Sequence, residues 1–163
     1  MKLISLQFSY EKSRVLQALR YHFITRKELR LMLIVVNVFA LGSITLYALK
    51  LVTPLAFLTG SLLWLILMIS FWFIMPSIVY RQTKSFLYSF TMEFNNEGFS
   101  LSPANGLSKQ WGWTNLNSYL ESPHFFHLYF DTKSFWLVPK SACEDAEDLI
   151  ALRQLISKHV KKG

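Results

Sequence analysis

The side chains best suited to chemistry in this chain are spaced in a way that argues against a reactive site. His124 and His127 lie three residues apart, and Cys143 is the only cysteine. A metal site normally needs three or four ligands, and residues three apart on a strand point to opposite faces. A cysteine nucleophile needs a histidine base and an orienting partner, and no known signature surrounds Cys143. We therefore predict no metal site, two histidines in turns or at the surface, and a buried thiol.

The carboxylates and glycines add no reactive constellation. In the C-terminal half the carboxylates are scattered or lie in the first turn of a predicted helix, and the glycines are isolated at turns. Acid–base catalysis needs paired groups, and a phosphate-binding loop needs clustered glycines. We predict a protein that has no catalytic residues, holds no cofactor and is not an enzyme.

The sequence contains one long apolar stretch. From Leu31 to Tyr80 only Lys50 is charged. One membrane span needs about 20 predominantly apolar residues. The stretch predicts two transmembrane helices, residues 31–49 and 54–79, within a hairpin region of residues 31–80. A soluble chain of 163 residues could not cover two such helices with a core of its own.

The residues beside the spans predict how the hairpin is oriented. Thr53 is suited to cap the second helix and Pro54 to begin it. The loop between the spans carries only Lys50, whereas the outer flanks carry several cations. Because cytoplasmic flanks are enriched in Lys and Arg, we predict a multi-pass protein with both termini in the cytoplasm.

Charge is concentrated near the membrane. Residues 1–84 contain ten Lys or Arg and two Glu, a net charge of +8, whereas residues 85–163 have a net charge of −1. Cations beside spans are attracted to anionic headgroups, which explains the basicity without nucleic acid. We predict that the partner of this region is the lipid bilayer, and that the headgroup-contacting residues are Arg20, Arg26, Lys27, Arg30, Arg81 and Lys84.

Residues 1–30 form the first predicted segment. Apolar and polar residues alternate from Ile4 to Tyr10, as in a half-buried strand. From Glu11 onward a helical stripe is formed by Val15, Ala18, Leu19, His22 and Phe23. This basic amphipathic helix either lies on anionic lipid or packs against the C-terminal domain.

Residues 85–163 form a predicted soluble β domain. Short alternating runs separated by turn residues predict strands at 88–94, 99–102, 108–113, 118–121, 125–130 and 134–138. A final helix at 144–160 begins with carboxylates and ends with cations, which matches the helix dipole. The predicted fold class is membrane α+β, with a two-helix transmembrane hairpin and a small meandering antiparallel sheet closed by the C-terminal helix.

The order of several short motifs resembles the YcxB-like membrane protein family. The motifs are Arg20-Tyr21-His22, Glu93-Phe94, Gly98-Phe99, Trp113-Thr114-Asn115-Leu116, Leu128-Tyr129 and Leu137-Val138-Pro139-Lys140. The resemblance implies a pleckstrin-homology-like (PH-like) cytoplasmic domain on a two-span anchor in a bacterial inner membrane. It implies no reaction.

Two further sets of residues are candidates for contacts. Most aromatic residues should form the core, but consecutive aromatics on a strand point to opposite faces. Outward-facing members would form a partner surface, for which we select Trp111, Trp113 and Trp136. Asn37, an amide within the first span, is expected either to hydrogen-bond across the hairpin or to a second copy, or to be tolerated in lipid as a single polar residue.

These features favour a non-enzymatic, membrane-anchored adaptor or regulator whose β domain binds a protein or a lipid headgroup. The alternative is an immunity or transport-related component that acts through the hairpin. The predicted partners are therefore anionic lipid and either a protein or a second copy of the chain.

Overall fold

The structure, a computed structural model, describes residues 3–104, 106–132 and 134–163. The chain divides into two compact units. Residues 1–18 and 84–163 form the first, here called the β unit, and residues 19–83 form the second, here called the hairpin unit. Helix α1 (Lys12–Thr25) begins in the β unit and ends in the hairpin unit.

In the described part of the β unit, short strands form two antiparallel sheets. Each predicted C-terminal strand is present, with ends that differ from the prediction by about one residue. The first sheet has the order β1-β2-β3-β4, with β1 (Ile4–Ser9), β2 (Ser89–Phe94), β3 (Gly98–Pro103) and β4 (Lys109–Gly112). The second has the order β5-β6-β7, with β5 (Ser118–Glu121), β6 (Phe125–Tyr129) and β7 (Phe135–Pro139).

Strand β1 joins the first sheet although residues 10–88 lie between it and its partner β2. The two strands pair antiparallel from Ile4 opposite Phe94 to Ser9 opposite Ser89. Alternate residues of β1 are buried, which confirms the predicted period-two strand. The sequence suggested an N-terminal segment of its own, residues 1–30, whereas the structure groups β1 with residues 84–163.

The prediction of one meandering sheet is wrong, because the chain turns out of the first sheet after β4. A 3₁₀ turn, Trp113–Asn115, separates β4 from β5. The Asn115 side chain stabilises this turn by accepting a hydrogen bond from the Gly112 N–H at 2.9 Å. The Trp113 indole fills the core and donates to the Asn95 carbonyl at 2.9 Å. These contacts end the sheet where alternation alone would continue it.

The C-terminal helix, α5 (Ala146–His159), covers the core with Leu152, Leu155 and Ile156. Its N-cap is Asp145, whose carboxylate accepts from the Asp148 N–H at 2.7 Å. Carboxylates in the first turn and cations in the last turn confirm the predicted match to the helix dipole. The buried core of this unit draws on both sheets and on α5.

The hairpin unit contains two helical segments that are long and apolar enough to cross a membrane, residues 27–48 and 54–82. The first is α2 (Lys27–Ala48). The second starts as α3 (Pro54–Ile69), continues through a π-helical turn (Ser70–Ile74) and ends as α4 (Met75–Gln82). Neither α2 nor α3 contains a buried residue. The predicted Thr53 cap is confirmed, because the Ala56 N–H donates to Thr53 Oγ1.

Helices α2 and α3 contact each other along one narrow seam. Their partly buried positions recur at alternating spacings of four and three residues. This repeat is typical of knobs-into-holes packing between two helices. The seam is formed by Leu29, Leu33, Val36, Ala40 and Ser43 in the first segment and by Phe57, Ser61, Trp64 and Met68 in the second. The next residue of the repeat, Phe71, is buried and packs beside Phe23 of α1, with ring centroids 6.3 Å apart.

Candidate functional site

The π-helical turn and Pro76 create a special backbone site in the hairpin unit. In a regular helix the Trp72 carbonyl would accept from the N–H of residue 76, and proline has none. Arg20 of α1 supplies a donor instead, with its Nε 2.9 Å from the Trp72 carbonyl oxygen. The next carbonyl, of Phe73, accepts from Ser77 Oγ at 2.6 Å. Two side chains therefore satisfy backbone oxygens where the helix is irregular.

The Arg20 guanidinium also lies against an aromatic ring. Its Cζ is 5.4 Å from the centroid of the Phe73 ring, within the range of a cation–π interaction. Arg20 is half-buried. The structure thus holds this predicted headgroup-contacting residue in a fixed position on the second apolar segment.

The other predicted headgroup cations are held less tightly. Arg26 is half-buried, with Nε 3.8 Å from the Glu28 carboxylate. Arg30 is exposed and donates from Nε to the Ile24 carbonyl at 3.2 Å. Lys27, Arg81 and Lys84 are exposed. Arg26, Lys27 and Arg30 lie at the start of α2 and Arg81 at the end of α4, so these four flank the apolar segments as predicted.

His22 is a buried titratable group beside these cations. Its ring is buried, and burial together with the nearby positive charge of Arg26 lowers its pKa to about 4. The imidazole is therefore neutral at pH 7. All five residues of the predicted stripe on α1 are buried, which confirms the amphipathic pattern.

Asn37 does not form the predicted hydrogen bond across the hairpin. Its Nδ2 donates to the Leu33 carbonyl of its own helix at 2.8 Å, and the residue is exposed. The seam passes through Val36, so Asn37 lies beside it rather than within it. The expected contact with a second copy stays a prediction.

The three selected tryptophans do not share one surface. Trp113 is only 4% exposed and packs with the rings of Phe94 and His159. This burial removes Trp113 from the predicted partner surface. Trp111 and Trp136 are half-buried, with ring centroids 6.1 Å apart, and pack against the core. Their remaining exposed area keeps them as candidates.

A polar cavity of about 330 Å³ lies on the first sheet, lined by residues of β2, β3 and β4 and of the turn between β2 and β3. Glu93 and Glu97 line it, together with Ser100 and Gln110. Both carboxylate residues are exposed. We call this feature the acidic cleft. The Trp111 ring packs on the other face of the sheet, against Phe99 and Trp136. A cleft that presents two carboxylates is suited to a cationic group.

The two histidines and the cysteine differ in their burial and in their neighbours. His124 is exposed, as predicted, but His127 is fully buried, so its predicted surface position is wrong. The His127 ring packs near Phe135, and its Nε2 lies 3.0 Å from Ser122 Oγ. Cys143 is half-buried, not fully buried as predicted. Partial burial and the nearby Asp148 and Asp145 carboxylates raise the pKa of its thiol. Among the described residues, no group of three or more His, Cys, Asp or Glu could hold a metal ion.

The β unit contains an ion cluster that was not predicted from the sequence. Glu121, at the end of β5, accepts hydrogen bonds from Arg153 of α5 at 2.8 Å and 3.2 Å. Lys140 Nζ lies 2.6 Å from the same carboxylate and 5.2 Å from the centre of the Phe126 ring. The Arg153 hydrogen bonds in particular lower the pKa of Glu121. The cluster attaches α5 to the second sheet, and no sequence signal indicated that these distant residues meet.

A model of the family described as YcxB-like protein matches residues 94–156. The match confirms the family resemblance that the sequence motifs predicted, from the end of β2 into α5. The motif Arg20-Tyr21-His22 lies outside the matched residues. No curated protein and no solved structure matches the chain.

Proposed function

We propose that this YcxB-like chain is a non-enzymatic membrane-anchored adaptor, with its β unit held at the cytoplasmic face of a bacterial inner membrane. Its ligand there is a protein that presents a basic side chain. The observation that carries the proposal is the pairing of β1 with β2 around an inserted pair of apolar helices.

The pairing supports an even number of membrane crossings. Strand β1 precedes the hairpin unit and β2 follows it, yet Ser9 lies opposite Ser89 in one sheet. A sheet cannot form across a bilayer, so both connections to the hairpin must reach the same side. Two crossings satisfy this requirement, and one or three would not.

The flanking charges support the cytoplasmic side. Arg26, Lys27 and Arg30 precede or begin the first apolar segment and Arg81 follows the second, while the loop between α2 and α3 carries only Lys50. An excess of positive charge on the two outer flanks over the connecting loop favours a cytoplasmic location of both flanks.

The architecture of the β unit supports a PH-like fold. Sheets of four and three antiparallel strands, closed by a C-terminal helix, are the expected arrangement for such a domain. Domains of this kind serve many functions, so the ligand must be argued from the site.

The acidic cleft favours a protein over an anionic headgroup as the ligand of the β unit. Glu93 and Glu97 would repel a phosphate but attract a Lys or Arg side chain. The edge strand β4 borders the cleft through Gln110 and Trp111.

Photo-crosslinking in intact cells tests the proposal. A photoreactive residue at Gln110, in the cleft, should capture a discrete protein, and the same residue at exposed Ser157 on α5 is the matched control. The Glu93→Gln/Glu97→Gln variant should abolish capture at Gln110 at an unchanged protein level. Equal capture at both positions, or capture that persists in the variant, contradicts the proposal.

A further inference from the structure

Arg20 contacts the second apolar segment at Trp72 and Phe73. The place of these two residues along the helix gives the depth of Arg20 in the proposed membrane. About 20 residues of helix, from Pro54 to Phe73, rise about 30 Å, which is the thickness of a bilayer hydrocarbon core. Measured from the loop, the hydrocarbon therefore ends near Trp72 and Phe73. Pro76 and α4 continue beyond it. Given the proposed membrane insertion, Arg20 lies at the depth of the headgroup phosphates.

The guanidinium of Arg20 is held with one edge free. Its Nε donates to the Trp72 carbonyl, and its Cζ lies over the Phe73 ring. Within the described residues, these are the contacts that Arg20 makes. The two terminal nitrogens carry four further N–H donors, arranged in a plane that suits two oxygens of one phosphate.

We infer that Arg20, fixed by the carbonyl that Pro76 leaves without its helical donor, binds the phosphate group of one phospholipid at the cytoplasmic interface. The inference rests on the proposed membrane insertion, and it adds a specific ligand site to it. Trp72 and Phe73, both exposed, would border the lipid chains below the phosphate.

The chemistry favours phosphate in a lipid over phosphate in water. An exposed arginine in water gains little from a phosphate, but one packed against apolar side chains at a membrane interface is poorly hydrated and needs an anion. The anion available at this depth is the lipid phosphodiester. Pre-organisation by Trp72 and Phe73 further reduces the conformational entropy lost on binding.

Native mass spectrometry of the full chain in detergent tests the inference. The probes are dioleoyl phosphatidylglycerol, dioleoylglycerol with the same chains but no phosphate, and inorganic phosphate. We expect one site for phosphatidylglycerol that Arg20→Gln weakens about tenfold, since a hydrogen-bonded charge is lost. Lys158→Gln, which removes an exposed cation of α5 that the predicted headgroup contacts do not include, should leave that affinity unchanged.

A second variant acts through the backbone and keeps the guanidinium. Pro76→Ala restores an N–H that can donate to the Trp72 carbonyl, which removes the need for the Arg20 hydrogen bond. We expect Pro76→Ala to weaken phosphatidylglycerol binding several-fold while the helix content by circular dichroism stays the same. Unchanged binding in both variants would overturn the site.

Two other results would also overturn the inference. Equal retention of dioleoylglycerol would mean that the chains bind and the phosphate does not. Displacement of the lipid by millimolar inorganic phosphate would mean that the site is not specific for a membrane lipid. The proposed adaptor function fails by a different result, because it requires the wild-type chain to sediment with membranes, and Arg20→Gln is expected to do so as well.

Discussion

The two units of this protein use the same apolar residue types in opposite ways. Leu6, in β1, is 1% exposed, whereas Leu58, in α3, is 66% exposed. The β unit hides its leucines and phenylalanines in a common core, and α2 and α3 leave theirs on the outside. This difference is the one expected if the β unit folds in water and the hairpin unit lies in lipid, as we propose. In that case burial within the chain identifies a core only in the β unit.

Removal of the hairpin unit is the largest change that this comparison predicts. A chain in which residues 19–83 are replaced by a flexible Gly/Ser linker keeps β1 and all later strands. We expect it to be soluble and folded without detergent, because closing a longer loop costs little. Gel filtration and circular dichroism measure this. A matched chain of residues 84–163 lacks β1, exposes the β2 edge and should aggregate. Insolubility of the linker chain would contradict the division into a water-soluble β unit and a separate hairpin unit.

The same Leu→Ala substitution made once in each unit compares the environments of the two leucines. Leu6→Ala leaves a cavity in the core and should lower the free energy of unfolding of the β unit by about 2–5 kcal/mol. Leu58→Ala exchanges one lipid-facing side chain for another and should change stability by less than about 1 kcal/mol. Denaturant unfolding in micelles, followed by tryptophan fluorescence, checks both values. Equal costs would mean that Leu58 is buried in a core of its own.

A charge placed near the middle of α3 tests whether this helix lies in water or in lipid. Leu63 is 59% exposed, and in water Leu63→Lys would be harmless. Near the centre of a bilayer a lysine costs about 2.5–3.5 kcal/mol on the insertion scale, so we expect less protein in the membrane pellet. The control is Leu107→Lys in the β unit, at a residue 90% exposed, which should change nothing. A normal membrane yield for Leu63→Lys counts against a lipid environment.

His22 predicts a pH dependence confined to mildly acidic conditions. Its pKa is about 4 when folded and 6.5 in its ordinary state, so the unfolded chain binds more protons between these values. Stability is therefore complete above about pH 6.5 and is lost as the pH falls towards 4, by at most about 3 kcal/mol. Thermal unfolding of His22→Gln should lack this dependence, and exposed His124→Gln should retain it. The same slope in both variants would exclude His22 as its source.

The elements of the fold were predictable where the cause is local. Strands such as β1 and β2 follow from alternation and turn residues, and α5 follows from its charged ends. The pairing of β1 with β2 was not predictable, because alternation fixes which face is buried and not which strand is the neighbour. The division into two sheets depends on the Asn115 and Trp113 side chains, whose contacts no periodicity shows.

The candidate site was predictable in part. Arg20 was selected from the sequence as a cation near a span, but the carbonyl that a proline at position 76 leaves without its helical donor was not part of the prediction. That Arg20 supplies the donor depends on how α1 packs beside the second segment, which is tertiary information. Trp113 was misplaced because strand alternation does not apply to a residue in a 3₁₀ turn.

The most direct test of the account is thiol labelling from each side of the membrane. In a Cys143→Ala background, Lys50→Cys places a thiol in the loop between α2 and α3, while Ser5→Cys and Leu107→Cys place thiols at exposed positions of the β unit. We predict that an impermeant maleimide labels Lys50→Cys in intact spheroplasts and labels the other two only after lysis. Labelling of all three thiols in intact spheroplasts, or of none before lysis, would contradict the account.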